Sequence, residues 1–159
     1  MFSLFKRART NATGLVTSQL YNQADFYPIF VRDLSYATRE VIIESPFISH
    51  KRMNALYPSF RSLAKRGVVI VVNTRHPSEH DADYELQASN AISELQKLGA
   101  IVLFTGGHHR KLAIVDRRVL WEGSLNILSQ SNSCEIMRRI EAQELAEQMF
   151  QYIGIERYL

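Results

Sequence analysis

The stretch GGHHRKLAIVDRRVLWEGSLN spans residues 106–126 and determines how the second half of the chain folds. Two apolar runs, at residues 111–116 and 119–122, flank a short polar segment formed by Arg117 and Arg118. Apolar runs separated by so few polar residues are typical of two strands joined by a tight turn. The stretch therefore predicts an antiparallel hairpin.

Before this hairpin, short apolar runs alternate with helical patterns. The runs at residues 41–43, 68–72 and 101–104 are rich in β-branched residues and predict three buried strands. Apolar residues at helical spacing predict one helix before the first strand, a second that ends at Gly67 and a third from about Asp83 to Gly99. This alternation predicts an α/β fold with a mixed, largely parallel central sheet flanked by helices.

The remaining segments fit a single domain over residues 1–159, since this length is that of one ordinary domain. Residues 134–140 alternate like a strand, and residues 141–153 carry apolar side chains at the spacing of a closing helix. In residues 1–20, Phe2, Leu4 and Phe5 lie next to basic residues. That segment is expected to be flexible or to anchor the chain at a membrane surface.

Composition points to a globular protein rather than a disordered or membrane-spanning one. Hydrophobic residues make up 46% and charged residues 22%, and no window approaches the roughly 20 apolar residues that cross a bilayer. The formal net charge of +3 would help to attract phosphate polymers or anionic lipid. The single cysteine, Cys134, excludes an internal disulfide; we expect a buried thiol and a cytoplasmic location.

Four polar residues of the hairpin region are expected to converge. Residues two apart in a strand point to the same face, so His109 and Lys111 project together while Arg110 points away. The same rule pairs Ser124 with Asn126 if extended geometry continues past residue 122. The turn of the hairpin would then bring the second pair near the first.

This set of side chains suits a tetrahedral phosphorus centre. Lys111, Ser124 and Asn126 offer hydrogen-bond donors to phosphate oxygens, and His109 offers a nucleophile or proton carrier. Divalent metals prefer carboxylates or several His and Cys ligands, so the sequence implies no metal and no cofactor. Asp116 lies at the hairpin bend, where we expect it to be too far along the strand to reach the phosphorus and to cap the turn instead.

The residues His109-x-Lys111, Asp116, Gly123-Ser124 and Asn126 resemble, in identity and spacing, the HKD motif of the phospholipase D superfamily. The resemblance implies that His109, rather than His108, attacks phosphorus to form a phosphohistidine, and it places Lys111 and Asp116 in the catalytic set. It also implies a glutamate bonded to the other ring nitrogen of the nucleophile. Glu135 is our candidate, because a carboxylate there would fix the tautomer.

The family's chemistry uses two motifs, and this chain contains one. It therefore resembles the single-motif bacterial nucleases of the superfamily, which build one active site from two subunits. The resemblance implies a homodimer in which two His109 side chains flank one phosphate across a two-fold axis. The neutral imidazole would attack and the charged one would donate its proton, which predicts a bell-shaped pH profile.

Size and single-motif status favour an endonuclease of low sequence specificity that acts on single-stranded or duplex DNA, with RNA as another possible substrate. Several basic residues are candidates for a phosphate-binding groove, namely Arg75, Arg110, Arg117 and Arg118, with Lys51 and Arg52. One alternative is a cardiolipin-type phospholipase at a membrane surface. Another is a nucleic-acid-binding module of a helicase or restriction system.

Other residues have competing interpretations. His76 and His80 stand four apart near acidic residues and would suggest a metal site, but Pro77 disfavours the helix that would align them. Trp121 is expected in the core or at a dimer interface. Phe47, which follows a proline, either lines the mouth of the site or packs internally.

Overall fold

The computed structural model describes residues 16–159, and within them a seven-stranded sheet lies between helices. Its strands are β1 (Thr17–Asn22), β2 (Glu40–Glu44), β3 (Val69–Thr74), β4 (Ile101–Phe104), β5 (Leu112–Val115), β6 (Val119–Gly123) and β7 (Ile136–Glu141). The α-helices of this part of the chain are α1 (Phe26–Tyr36), α2 (His50–Lys65), α3 (Ala82–Lys97) and α4 (Gln143–Ile153). The predicted α/β class and the predicted hairpin, β5–β6, are confirmed.

The strand order is β1-β7-β6-β5-β2-β3-β4. β2, β3 and β4 run parallel, and α2 and α3 supply the crossovers that parallel neighbours require. β5 instead pairs antiparallel with β2, and the antiparallel pattern continues through β6 and β7 to β1. The sheet is therefore mixed, as expected, but its parallel part is limited to three strands.

β1 is a strand that the sequence did not predict. It pairs antiparallel with β7, with Thr17 opposite Glu141, and five of its six residues are exposed. An exposed edge strand lacks the alternation of apolar and polar residues by which strands are found in a sequence. The remaining part of the suspected anchor, residues 1–15 with Phe2, Leu4 and Phe5, lies outside the described residues.

Two apolar clusters fill the opposite faces of the sheet. Helices α1, α2 and α3 pack on one face around Trp121, which is fully buried, and α4 packs on the other through Phe150. The indole Nε1 of Trp121 donates to Asp33 at 2.9 Å, and Arg139 also binds Asp33, at 2.7 Å. The core interpretation of Trp121 is confirmed. Among residues 16–159, no helix is long and apolar enough to cross a bilayer.

Candidate active site

Three motif-region residues meet at one end of the strands, which we call the catalytic edge because it carries the candidate catalytic residues. Because β5 and β7 run antiparallel to β6, their first residues lie beside the last residues of β6. Lys111 precedes β5, Ser124 follows β6 and Glu135 precedes β7. The N–H of Gly123 donates to the carbonyl of Lys111 at 3.3 Å, and that of Ser124 donates to Ile136 at 2.9 Å. The three residues thus lie at the ends of adjacent strands, which are about 5 Å apart.

The two adjacent histidines have different environments. His109 is exposed at the sheet edge, and the Nζ of Lys111 donates to its carbonyl at 2.8 Å. His108 is only 3% exposed, and its Nε2 has no hydrogen-bond partner among the described residues. Burial lowers the pKa of the His108 imidazole, and this effect outweighs the nearby Glu44 carboxylate, which favours protonation. The accessible imidazole belongs to His109.

Glu135 is held by serines rather than by His109. Its carboxylate is hydrogen-bonded to the hydroxyl of Ser124 and accepts a second bond from Ser133 at 2.8 Å. No hydrogen bond joins Glu135 to His109 within the described part of the chain, so the predicted contact is absent here. Both oxygens of the Glu135 carboxylate are instead engaged by the two serine hydroxyls.

Asn126 follows β6 in a loop rather than in an extension of the strand. The strand ends at Gly123, Ser124 forms a bend, and Leu125 between Ser124 and Asn126 is fully buried. The strand assignment therefore does not extend past Gly123, and the pairing of Ser124 with Asn126, which was conditional on extended geometry, stays a prediction. The Oδ1 of Asn126 is buried without a partner among residues 16–159, and unsatisfied polar atoms of this kind are frequent at functional sites.

Long-range hydrogen bonds fix the loop that carries Asn126. The N–H of Leu128 donates to the hydroxyl of Ser45 at 3.1 Å, and the hydroxyl of Tyr27 donates to the carbonyl of Ile127 at 2.9 Å. The guanidinium of Arg52 donates to the carbonyl of Gln130 at 2.8 Å. Arg52, a groove candidate, is thus engaged in holding this loop.

Asp116 does not lie at the site. It follows β5 whereas Lys111 precedes it, and five residues of strand span about 16 Å. Its carboxylate accepts hydrogen bonds from the backbone N–H groups of Thr38, Arg39 and Glu40 at 2.9, 2.8 and 3.1 Å. Burial opposes ionisation, but these bonds together hold the pKa of Asp116 below its ordinary value. Its assignment to the catalytic set is corrected: it joins the hairpin turn to the start of β2.

Two groove candidates lie at that same far edge. Arg117 binds Glu40 at 2.5 Å and Glu147 at 3.7 Å, and it stacks on Phe150 at 3.7 Å. Arg118 is in the same turn. The hairpin turn points away from the catalytic edge, so the prediction that Arg117 and Arg118 line a groove with His109 is wrong.

Of the remaining groove candidates, Arg110 and Arg75 lie near the catalytic edge. Arg110 points away from Lys111, as predicted, and forms two bonds to the buried carboxylate of Glu44, at 2.5 and 2.9 Å. This ion pair neutralises Arg110. Arg75 donates to the carbonyl of His108 at 2.8 Å and lines a cavity together with Asn126. Arg75 is therefore the groove candidate best placed to meet a phosphate.

The cavity beside Asn126 has a volume of about 460 Å³. Phe47 lines this cavity and also packs on His80, with 5.1 Å between the ring centres, and its place at the mouth of the site stays a prediction. His80 and Tyr84 form part of the same wall, and Glu44 and Asn73 lie below the edge as a buried hydrogen-bonded pair. Sequence reasoning missed Glu44 and Tyr84 because tertiary contacts alone bring them to the site.

His76 and His80 have separate partners. The ring of His76 accepts a bond from the N–H of Ser78 at 3.3 Å, whereas that of His80 packs on Phe47 at 5.1 Å. In residues 16–159, no group of three or more His, Cys, Asp or Glu side chains is arranged to hold a metal ion. Cys134 is exposed, contrary to expectation, because it lies in the irregular segment before β7.

A mixed α/β sheet that presents His109, Lys111 and Ser124 at one edge fits the class of domains that bind and cleave phosphodiesters. Residues 30–154 match the family described as cardiolipin synthase, PLD-like domain. The chain therefore belongs to the phospholipase D superfamily. A search of curated protein sequences gives no significant match.

Solved structures of the superfamily share the fold. NucT from Helicobacter pylori is 19% identical to this chain, with a TM-score of 0.70, and the match covers 87% of this chain and 93% of NucT. Nuc from Salmonella typhimurium, a phospholipase D family member, has a TM-score of 0.69 and 17% identity, covering 87% and 91%. Phosphatidylserine synthase from Haemophilus influenzae has a TM-score of 0.71 and 15% identity, covering 89% of this chain but 39% of its own.

Proposed function

We propose that the chain is a metal-independent endonuclease of low sequence specificity, which cleaves DNA through a phosphohistidine in a site shared by two copies of the chain. The observation that carries the proposal is the meeting of exposed His109 with Lys111 and Ser124 at one sheet edge, next to Asn126. His109 supplies a nucleophile, and Lys111 and Asn126 supply donors for phosphate oxygens. The hydroxyl of Ser124 instead donates to Glu135.

The proposed reaction has two displacements at phosphorus. A ring nitrogen of one His109 forms a bond to phosphorus while the bond to the leaving oxygen breaks, and His109 of the second copy gives that oxygen its proton. Water then attacks phosphorus and transfers a proton to the second imidazole, and the P–N bond breaks. Lys111 and Asn126 offset the charge that develops on the nonbridging oxygens in both steps.

Two observations support a shared site. One copy supplies a single motif histidine, so a proton donor for the leaving oxygen must come from elsewhere. The chain also corresponds to nearly the whole of NucT and Nuc, 93% and 91% of their lengths, but to only 39% of phosphatidylserine synthase. Two copies of this chain are therefore comparable in size with the single chain of the synthase. A two-fold axis at the catalytic edge would place two His109 side chains against one phosphate.

The second candidate is a phospholipase D or phosphatidyl transferase at a membrane surface. The match to a cardiolipin synthase family and the likeness to phosphatidylserine synthase favour it. The polar wall of the cavity beside Asn126 favours nucleic acid, because acyl chains require a continuous apolar surface.

Cleavage assays with excess chelator test the chemistry and the substrate together. We expect cleavage of single-stranded or duplex oligonucleotides to persist in chelator, and vesicles of cardiolipin to remain intact. His109→Ala should lower kcat by at least about 10³-fold, since it removes the nucleophile. His50→Ala, which alters an exposed histidine of α2, is the matched control and should leave kcat unchanged. Loss of activity in chelator, or activity of His109→Ala, would contradict the mechanism.

Subunit mixing tests the shared site. After exchange with a threefold excess of His109→Ala chains, about one quarter of the wild-type chains would retain a wild-type partner. Activity should then fall about fourfold, whereas addition of buffer alone should have no such effect. Activity that is unchanged by the excess of His109→Ala chains would show that each copy acts alone.

A further inference from the structure

The cavity beside Asn126 is built around an aromatic cluster that the proposed chemistry does not use. The rings of Phe47 and His80 lie 5.1 Å apart, and that of Tyr84 lies 6.5 Å from Phe47 and 6.4 Å from His80. The guanidinium carbon of Arg75 lies 5.2 Å from the Phe47 ring centre. The volume of about 460 Å³ falls within the range of about 300–1,000 Å³ typical of ligand sites.

The aromatic wall is held by the fold. Phe47 follows β2, and its carbonyl accepts a bond from the buried hydroxyl of Ser45 at 3.0 Å. Tyr84 lies in the first turn of α3, where Asp81 accepts a bond from its N–H at 3.1 Å. The Tyr84 side chain nevertheless remains 44% exposed toward solvent. A large exposed ring on a rigid helix end is a suitable surface for stacking.

The rest of the lining is polar and contains hydroxyl and amide groups together with the carboxylates of Glu79 and Asp81. Ser129, Ser131 and Ser133 belong to it together with Gln130, whose amide donates to the carbonyl of Ser133 at 3.0 Å. A serine hydroxyl both donates and accepts hydrogen bonds, so this wall can meet different base edges equally well. A cavity that combines stacking rings with hydroxyl and amide groups fits the planar ring of any nucleobase.

Two contacts connect the cavity to the catalytic edge. Asn126 lines the cavity and belongs to the phosphate-binding set. Arg75 lines it too, and donates to the carbonyl of His108, the residue before His109. Asn126 and Arg75 thus connect the cavity to the segment that carries His109, although His109 itself does not line it.

We propose that this cavity binds one unpaired nucleobase adjacent to the cleaved phosphate, stacked on Tyr84 and Phe47. This inference rests on the proposed nuclease function and adds a substrate class to it: single strands, or duplexes from which a base has turned out. A paired base cannot enter, since both of its faces are covered by neighbouring base pairs. The polar wall supplies no fixed pattern, so all four bases are accepted.

A single-stranded oligonucleotide with one cleavable phosphodiester tests the inference, the other linkages being methylphosphonates. Replacement of one flanking nucleotide by an abasic residue should lower kcat/KM about tenfold in the wild type. Tyr84→Ala should cause a similar loss on the intact oligonucleotide and little further loss on the abasic one. Tyr84→Phe should restore the activity because the ring suffices. Tyr152→Ala, which removes a 76% exposed ring on α4, is the matched control and should have no effect.

A fluorescence titration separates failure of this inference from failure of the nuclease proposal. A dinucleotide that contains 2-aminopurine should be quenched by the wild-type protein and by Tyr84→Phe, but several-fold less by Tyr84→Ala. Quenching without cleavage would support the base site and contradict the nuclease. Cleavage with equal rates on intact and abasic strands, equal quenching by the wild type and Tyr84→Ala, or cleavage of cardiolipin vesicles unaffected by Tyr84→Ala would overturn the base site.

Discussion

The carboxylate of Glu79 accepts a hydrogen bond from the backbone N–H of Gly107 at 3.1 Å and thereby joins the loop after β3 to the loop that carries His109. This bond is the main reason that the pKa of Glu79 lies below its ordinary value. Gly107 has φ +62°, in the left-handed region, so the bond stabilises an uncommon backbone conformation two residues before His109.

We expect Glu79→Ala to misplace His109 and to lower kcat about tenfold, with a smaller change in KM, because misplaced reactive groups slow chemistry more than binding. Glu79→Gln should recover part of kcat, since its amide oxygen still accepts the bond. Steady-state kinetics on a single-stranded oligonucleotide measures both parameters. Glu94→Ala, an exposed substitution in α3, should match the wild type. An unaltered kcat in Glu79→Ala would show that Gly107 needs no such partner.

Gly123→Ala should destabilise the protein because a Cβ there would lie 2.1 Å from the carbonyl oxygen of Ile136 and 2.9 Å from the Cα of Met137. Relief of this overlap requires β6 and β7 to separate, at a cost of about 3 kcal/mol or more in the free energy of unfolding. Urea unfolding measures the change. Gly106→Ala is the control within the same motif region, since nothing lies within 4 Å of its Cβ. Equal stabilities of the two variants would contradict the close approach of β6 and β7.

Asp116→Ala should destabilise the protein by about 1–3 kcal/mol at pH 7, because three backbone N–H groups lose a charged acceptor. The folded-state pKa of Asp116 is lowered, so its contribution is complete above the unfolded pKa of about 3.9 and is lost as the pH falls through the folded value. Unfolding measured from pH 7 to pH 3 should show the two proteins converging in stability. Catalytic activity of folded Asp116→Ala should stay close to that of the wild type; a loss as large as that of His109→Ala would place Asp116 back in the catalytic set.

His108→Leu should make stability less dependent on pH. Burial lowers the folded-state pKa of His108, so below the unfolded pKa of about 6.5 the unfolded chain binds a proton that the folded chain does not. The free energy of unfolding of the wild type therefore decreases as the pH falls from about 6.5 toward 5, by at most about 1.4 kcal/mol per pH unit. Chemical unfolding at pH 7 and pH 5 measures the slope. The slope should persist in His50→Leu, whose histidine is exposed; if it also persists in His108→Leu, another group is responsible.

The central strands of the fold could be predicted from the sequence because each has a local pattern of residues. β2, β3 and β4 are continuous runs of β-branched residues, and the turn at Asp116 separates two apolar strands. β1 was missed, since it has five exposed residues among its six and depends on pairing with β7. The extent of antiparallel pairing was also missed, because no local pattern shows that β5 lies beside β2.

The site was predictable only to the extent that its motif fixes spacing along the chain. Period-two alternation separated Lys111 from Arg110. The position of Asp116 at the hairpin bend already indicated a residue far from the phosphorus, and Asp116 was grouped with His109 only through the resemblance to the HKD motif. Tyr84 joins the site through the docking of α3, a long-range contact with no local signal. Motif residues are thus visible in the sequence, whereas their surroundings come from tertiary packing.

The pairing of β1 with β7 has a consequence for how the protein is made. Arg138 and Ser18, 120 residues apart in the chain, meet at 2.7 Å across this pair. Contacts between such distant segments form late, because a long loop must close first. During synthesis β1 therefore leaves the ribosome before β7, and its backbone N–H and C=O groups stay unpaired until β7 has emerged. β7, which directly follows Glu135 at the catalytic edge, is thus also the strand that completes the sheet.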